Sequence, residues 1–196
     1  MSAATAQNET LLSCLQRLLM ARGLRFSDWQ IASFYTALQA KGFVVLGGPS
    51  GMGKTRLAQH FAALLPQPAE GNNWLFVAVR PEWRESTALL GKVAPNGVYE
   101  WTPFLRFLLR AVQSYEQGDG LAWFVILDEM NLACVEHYLA EFLSVLESGW
   151  EEDGWTREPL CLDCTAGAPH LRLPPNLYLI GTLNADETSY SLSTRV

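Results

Sequence analysis

Apolar positions along the chain alternate between two rhythms. From Asn8 to Met20, leucines at 11, 12, 15, 18 and 19 recur every three or four residues, which predicts one stripe of a helix. Residues 1–6 show no such pattern and read as disordered. Arg22-Gly23 ends the helix. Ser27-Asp28-Trp29-Gln30 then matches a capping box, and the helix it opens is expected to run to about Ala40. Gly42 closes that helix, and the short run Phe43 to Leu46 reads as a strand. A third helix is expected from Lys54 to about Leu65, stopped by Pro66 and Pro68. Trp74 to Val79 is a strand by its aromatic and β-branched content. Residues 82–97 read as loop with one helical turn at Ser86 to Leu90, and Pro103 to Gln117 as a helix. Trp123 to Leu127 is apolar without alternation, the pattern of a strand buried on both faces. A helix over Val135 to Ser148, an extended hairpin region over 149–175 and a second fully buried strand from Leu177 to Thr182 complete the pattern.

Strands alternating with helices predict an α/β fold with a mainly parallel sheet covered on both sides, a three-layer αβα arrangement. The length of 196 residues fits one domain of ordinary size. No linker separates the first two helices from the rest. Residues 1–40 are therefore expected to form a helical segment packed on a core spanning 41–196.

Composition narrows the partners. Hydrophobic residues make up 49% of the chain, ample for a core. A net charge of −6 argues against a broad nucleic-acid face, because neutralising phosphates takes clustered Lys and Arg. Any action on DNA would need a local basic patch, a pore loop, or another domain or chain, and is expected to run indirectly through other domains. The longest strongly apolar run, Leu121 to Leu127, is far short of a membrane span, and Gln16 and Arg17 interrupt the N-terminal leucines. The expected location is cytoplasmic. Cys161 and Cys164 have the spacing of half a zinc site. With no second close pair, they read as reduced cysteines in a hairpin.

The chemistry sits at the strand ends. Gly48-Pro-Ser-Gly-Met-Gly-Lys-Thr55 matches the phosphate-binding loop pattern, with a strand before it and a helix after it. Glycines let the backbone curl so that its N–H groups face phosphate oxygens, and the helix start adds its positive dipole end. The Lys54 ammonium can reach the β- and γ-phosphates and the Thr55 hydroxyl can ligate Mg2+. The expected nucleotide-binding set is Gly48, Pro49, Ser50, Gly51, Met52, Gly53, Lys54, Thr55 and Arg56. A second buried strand ends in Asp128-Glu129. Asp128 is expected to hold the Mg2+ shell, partly through water, and Glu129 to polarise the attacking water. After the last strand comes Asn184, whose amide can contact the γ-phosphate or orient the water. Lys54, Glu129 and Asn184 are thus the expected catalytic set.

The order of these pieces, with Glu129 directly after the strand Asp, points to AAA+ proteins. The stretches "FVVLGGPSGMGKTRLAQ", "VILDEMNLACVEHYLAEFLSVLE" and "PPNLYLIGTLNADETS" resemble the AAA+ module of McrB-type proteins, and more broadly the dynein-related, MoxR-like group. The resemblance spans roughly residues 28–196. It implies Walker A at Gly48–Thr55, Walker B at Asp128 and Glu129, and sensor 1 at Asn184. It further implies a hexameric ring with nucleotide at subunit interfaces, and a separate McrC-like nuclease subunit. The family also carries an arginine finger and a helical lid beyond this region, so the chain reads as a core without its lid. McrB itself resembles a GTPase with M-N-x-x-D at the sensor. Here Leu183-Asn184-Ala185-Asp186 has one residue fewer before the acid, which tilts the reading toward ATP over GTP. A MoxR-like remodelling ATPase, and a nucleotide-binding assembly module without significant hydrolysis, are the alternative functions.

Secondary candidates are Arg80, Trp83 and Arg84 after a strand end, His137 near Glu129, and the acidic aromatic loop at 150–155. Arg80, Trp83 and Arg84 could serve interface or substrate-loop contacts, or Trp83 could simply pack on the core, and the aromatics of Tyr99 to Phe107 are expected to pack against the sheet.

Overall fold

The computed structural model describes residues 2–162 and 170–184, with side chains from residue 11 onward. In chain order the elements are α1 (Ser2–Ala21), α2 (Asp28–Ala40), β1 (Phe43–Gly48), α3 (Lys54–Leu64), β2 (Trp74–Ala78) and α4 (Thr87–Leu90). There follow β3 (Lys92–Val93), β4 (Tyr99–Glu100), α5 (Pro103–Gln117) and β5 (Trp123–Asp128). A 3-10 turn (Met130–Leu132) leads to α6 (Val135–Tyr138), α7 (Ala140–Glu147), β6 (Leu160–Cys161), β7 (His170–Leu171) and β8 (Leu177–Asn184). The main sheet has the order β1-β8-β5-β2, and each neighbouring pair is parallel. The β1–β8 register sets Gly48 beside Asn184, and the β2–β5 register sets Ala78 beside Asp128. The functional ends of three strands therefore meet at one edge of the sheet.

The two faces of β5 feed two separate cores, as a two-residue side-chain period requires. Phe124 and Ile126 pack with Leu15, Leu19, Ile31, Phe34, Leu57 and Phe61, the apolar stripes of α1 to α3. Trp123, Val125 and Leu127 pack on the opposite side with Leu105, Leu108, Phe142 and Leu143 of α5 and α7. Each such side chain contributes roughly 1.5–3 kcal/mol when fully buried. The N-terminal helices are part of this packing, since α1 lies against both α2 and α3. Ser27 caps α2 as its sequence predicts. The Ser27 hydroxyl accepts from Gln30 N, and the Gln30 side chain accepts from Ser27 N at 2.9 Å.

Four expectations need correcting. Helix α1 begins at Ser2 rather than near Asn8. Ala3, Ala4 and Ala6 favour the helix, and extending a formed helix carries no new nucleation cost. The single helix expected over Val135 to Ser148 is two, broken at Leu139 (φ −110°, ψ 1°). The two pieces serve different neighbours: α6 meets α4, and α7 meets β6. The Tyr138 hydroxyl ties α6 back by donating to the Met130 carbonyl at 3.0 Å, and its ring stands edge-on to Trp83. Burial pushes the Tyr138 phenol well above its ordinary pKa, so it stays a neutral donor. Lys92–Val93, within the stretch 82–97 that reads as loop, pairs with Tyr99–Glu100 just beyond it as the small antiparallel pair β3–β4. Strand β8 runs two residues past Thr182, so Asn184 ends the strand instead of following it.

Candidate functional site

Gly51 and Gly53 take positive φ, +76° and +82°, which carries the chain from β1 around into α3. Gly53 is also a close approach: a Cβ there would stand 2.8 Å from Leu24 Cδ2. The α1–α2 connection is thereby held against the loop. Lys54 opens α3 and turns its ammonium back over the loop. Its Nζ donates to the carbonyls of Gly48 and Pro49, at 2.8 and 2.7 Å, and to Asn184 Oδ1 at 3.0 Å. The Thr55 hydroxyl hydrogen-bonds Asp128 Oδ1. Asn184 Nδ2 donates to Glu129 Oε1 at 2.7 Å. A continuous chain of contacts runs from Lys54 through the Asn184 amide to Glu129.

Two residues that sequence reading left without a role complete this set. The Thr182 hydroxyl donates to Asp128 Oδ1 at 2.8 Å and accepts from Glu129 N at 3.0 Å. The Asn131 amide donates to the Asn184 carbonyl at 3.3 Å, tying the turn after β5 to the end of β8. Strand alternation offered a signal for Thr182, which lies two residues before Asn184 and on the same face. Glu129 itself has φ 51°, and among the described residues it is the one non-glycine with positive φ. That conformation costs an L-residue roughly 1–2 kcal/mol, and the Thr182 and Asn184 contacts offset it.

These residues line a cavity of about 390 Å3 at the sheet edge. Ser50, Gly51, Gly53, Lys54, Thr55, Arg56, Asp128, Glu129 and Asn184 all border it, together with Leu24, Gln59, Phe76 and Thr182. Gly48, Pro49 and Met52 instead border a neighbouring, more apolar groove along β1 and α2, which Lys54 also borders. His137 is exposed and does not line the cavity. Glu141 accepts from Ser86, and Glu136 accepts from the Cys134 thiol, whose pKa burial pushes up. In the acidic aromatic loop, Glu151 pairs with Arg157 and Asp153 with Arg172, while Trp155 packs edge-on to Tyr115. Cys164, Asp186 and Arg195 lie outside the described residues.

The donors suit a hard divalent cation. Thr55 and Asp128 present a hydroxyl and a carboxylate, and among the described residues no Cys or His borders the cavity. Both hydroxyl contacts to Asp128 reach Oδ1. Among the described residues there is no cluster of three or more His, Cys, Asp or Glu that would form an all-protein cage. Mg2+ is normally held this way, by one or two carboxylates with waters and substrate phosphates.

A strand, a glycine loop and a helix opening on Lys54-Thr55, facing an acidic strand end in a parallel sheet, define a P-loop nucleoside-triphosphate-binding fold. The model of the AAA domain of the dynein-related subfamily matches residues 43–193, and the chain belongs to that family. A crystal structure described as that of a "putative ATPase" from Cytophaga hutchinsonii is similar in fold, with a TM-score of 0.52 at 14% identity. The alignment covers 97% of this chain and 50% of that one, so this chain spans about half the length of that relative. No curated protein matches the sequence. No helix among the described residues is long and apolar enough to cross a membrane.

Proposed function

We propose that the chain is a Mg2+-dependent ATP hydrolase, the motor core of a McrB-like assembly that couples nucleotide turnover to a partner nuclease. The observation that carries the hydrolytic part is the convergence of Lys54, Thr55, Asp128, Glu129 and Asn184 on one cavity. In this reading the loop N–H groups and Lys54 bind the phosphates, and Thr55 and Asp128 hold the cation. Mg2+, when bound, supplies neutralisation of phosphate charge. Glu129 accepts a proton from the attacking water, and Asn184 positions the γ-phosphate or that water. Lys54 leaves the Gly48 and Pro49 carbonyls for phosphate oxygens, a stronger, charge-assisted partner. A ring of like subunits would supply a cation in trans. The McrB-like role rests on the "DEMNLA" and "GTLNADET" stretches, and ATP is favoured by the spacing from Asn184 to Asp186.

The test is binding of fluorescent ATP and GTP analogues with Mg2+, followed by turnover. Lys54→Ala is expected to abolish binding. Glu129→Gln is expected to keep binding and to lose turnover by about 100-fold or more. Unchanged binding by Lys54→Ala would overturn the reading, and a clear GTP preference would replace ATP with GTP in it.

A further inference from the structure

We propose that Thr182 is a positioning residue that sets both acids of the site, Asp128 and Glu129, from a single hydroxyl. The inference rests on the roles given above to those two acids.

Thr182 is 1% exposed and lies on β8 one residue past Gly181, which is in register with Leu127 of β5. Its hydroxyl therefore faces the point where β5 gives way to the Asp128-Glu129 turn. A hydroxyl has one proton to give. The Glu129 amide can only donate, so Thr182 Oγ1 must accept from it, at 3.0 Å. The remaining proton goes to Asp128 Oδ1, at 2.8 Å. With both partners fixed, the rotor has no freedom left.

Each contact has a distinct consequence. Asp128 Oδ1 also meets the Thr55 hydroxyl, which borders the cavity and is free to exchange partners when ligand arrives. Thr182 also borders the cavity, but it is almost fully buried and engaged by two partners of the fold, so it holds Oδ1 while Thr55 changes partner. The orientation of the carboxylate toward a cation is thereby preserved. The second contact pins the backbone N–H of Glu129, the residue held at φ 51°. Glu129 is thus fixed at two points: its amide by Thr182, and its carboxylate by Asn184. Without the hydroxyl, the amide loses its acceptor and the turn can relax toward ordinary φ, carrying the carboxylate with it. Thr182 touches neither phosphate nor water in this scheme and acts through its neighbours.

The experiment compares wild type with Thr182→Val, which keeps the shape and loses the hydroxyl, and Thr182→Ser, which keeps the hydroxyl. Nucleotide affinity is measured in EDTA and in Mg2+, and kcat and KM in Mg2+. Thr182→Val is expected to bind ATP in EDTA like wild type. It should lose about 10-fold or more both of the Mg2+-dependent gain in affinity and of kcat, the usual effect of removing a group that orients a metal ligand, and KM in Mg2+ should rise in step with the weakened binding. Thr182→Ser should recover most of both losses. If Thr182→Val does not fold, Thr182→Ala read by the same two binding titrations replaces it. Wild-type Mg2+ dependence and kcat per folded molecule in the hydroxyl-free variant would overturn the proposal and leave Thr182 a purely structural residue. The reading beneath it fails separately: wild type without Mg2+-dependent binding, or Glu129→Gln with full turnover, would overturn the roles of Asp128 and Glu129 whatever Thr182 does.

Discussion

Gly181 lacks a side chain because Met130 fills the space where one would go. A Cβ at Gly181 would stand 2.2 Å from Met130 Sδ, and Met130 is fully buried, with little room to retreat. Met130 also links the two parts of the site. It follows Glu129 directly, and its carbonyl accepts from Tyr138. Gly181→Ala is therefore expected to overpack this point and destabilise the fold by roughly 1–3 kcal/mol, read as a lowered urea midpoint with unchanged slope. Pairing it with Met130→Val should recover part of the loss, because residues in contact couple. An unchanged midpoint in the single variant would show that the β8–Met130 contact is looser than the packing implies. The sequence "LIGTLN" marks Gly181 as a glycine in a strand, but not what approaches it. That depends on a turn more than 50 positions upstream, and no local pattern records it.

At the scale of elements, local chemistry was readable wherever the reason for an element lies within it. Helix α5 runs from Pro103 to Gln117, as its pattern predicts. Thr102 caps it by accepting from Leu105 N, Pro103 occupies a first-turn position, and Gly118 closes it at φ 66°. The capping box of α2 and the loop before α3 were legible for the same reason. The β3–β4 pair was not, because two-residue strands carry no period. The break at Leu139 was hidden because it follows from two helical pieces meeting different partners. The docking of α1 on α3 is a tertiary matter too, and it has a testable signature. Arg22, just past α1, donates to His60 Nδ1 of α3 at 2.7 Å. Burial, then the charges of Arg22 and Arg56, lower the His60 pKa below its ordinary 6.5. Below about pH 6.5 the unfolded chain thus binds more protons at this position than the folded one. The contribution of neutral His60 is full above about pH 6.5 and falls as the pH drops toward the folded-state value. Wild type should lose stability between pH 7 and 5 more steeply than His60→Gln, measured by urea unfolding at each pH. Parallel slopes would show that the folded protein does not hold His60 below its ordinary pKa, through burial or through the nearby arginines.

Over the whole molecule, the site gathers groups from both ends of the chain onto one edge of one sheet. The parallel register is what allows it, setting Gly48 beside Asn184 across β1 and β8. The cations that border the cavity are Lys54 and Arg56, both from the start of α3, among the described residues. They approach from one side only. Phosphoryl transfer spreads negative charge around the γ-phosphoryl group, and a guanidinium delivered by a second subunit is worth about 10³–10⁵ in rate where one is used. The cavity also borders Phe76, 41% exposed on the edge strand β2, so the described residues leave it open there. The ring proposed above predicts turnover that depends on assembly. Specific ATPase activity is expected to rise with chain concentration and to level off as oligomers form, with light scattering tracking the same transition. Mixing in Lys54→Ala chains should change activity more steeply than their mole fraction, because each interface draws on two subunits. Activity that stays constant per chain across the dilution series would place the whole catalytic apparatus within a single copy and overturn the ring reading.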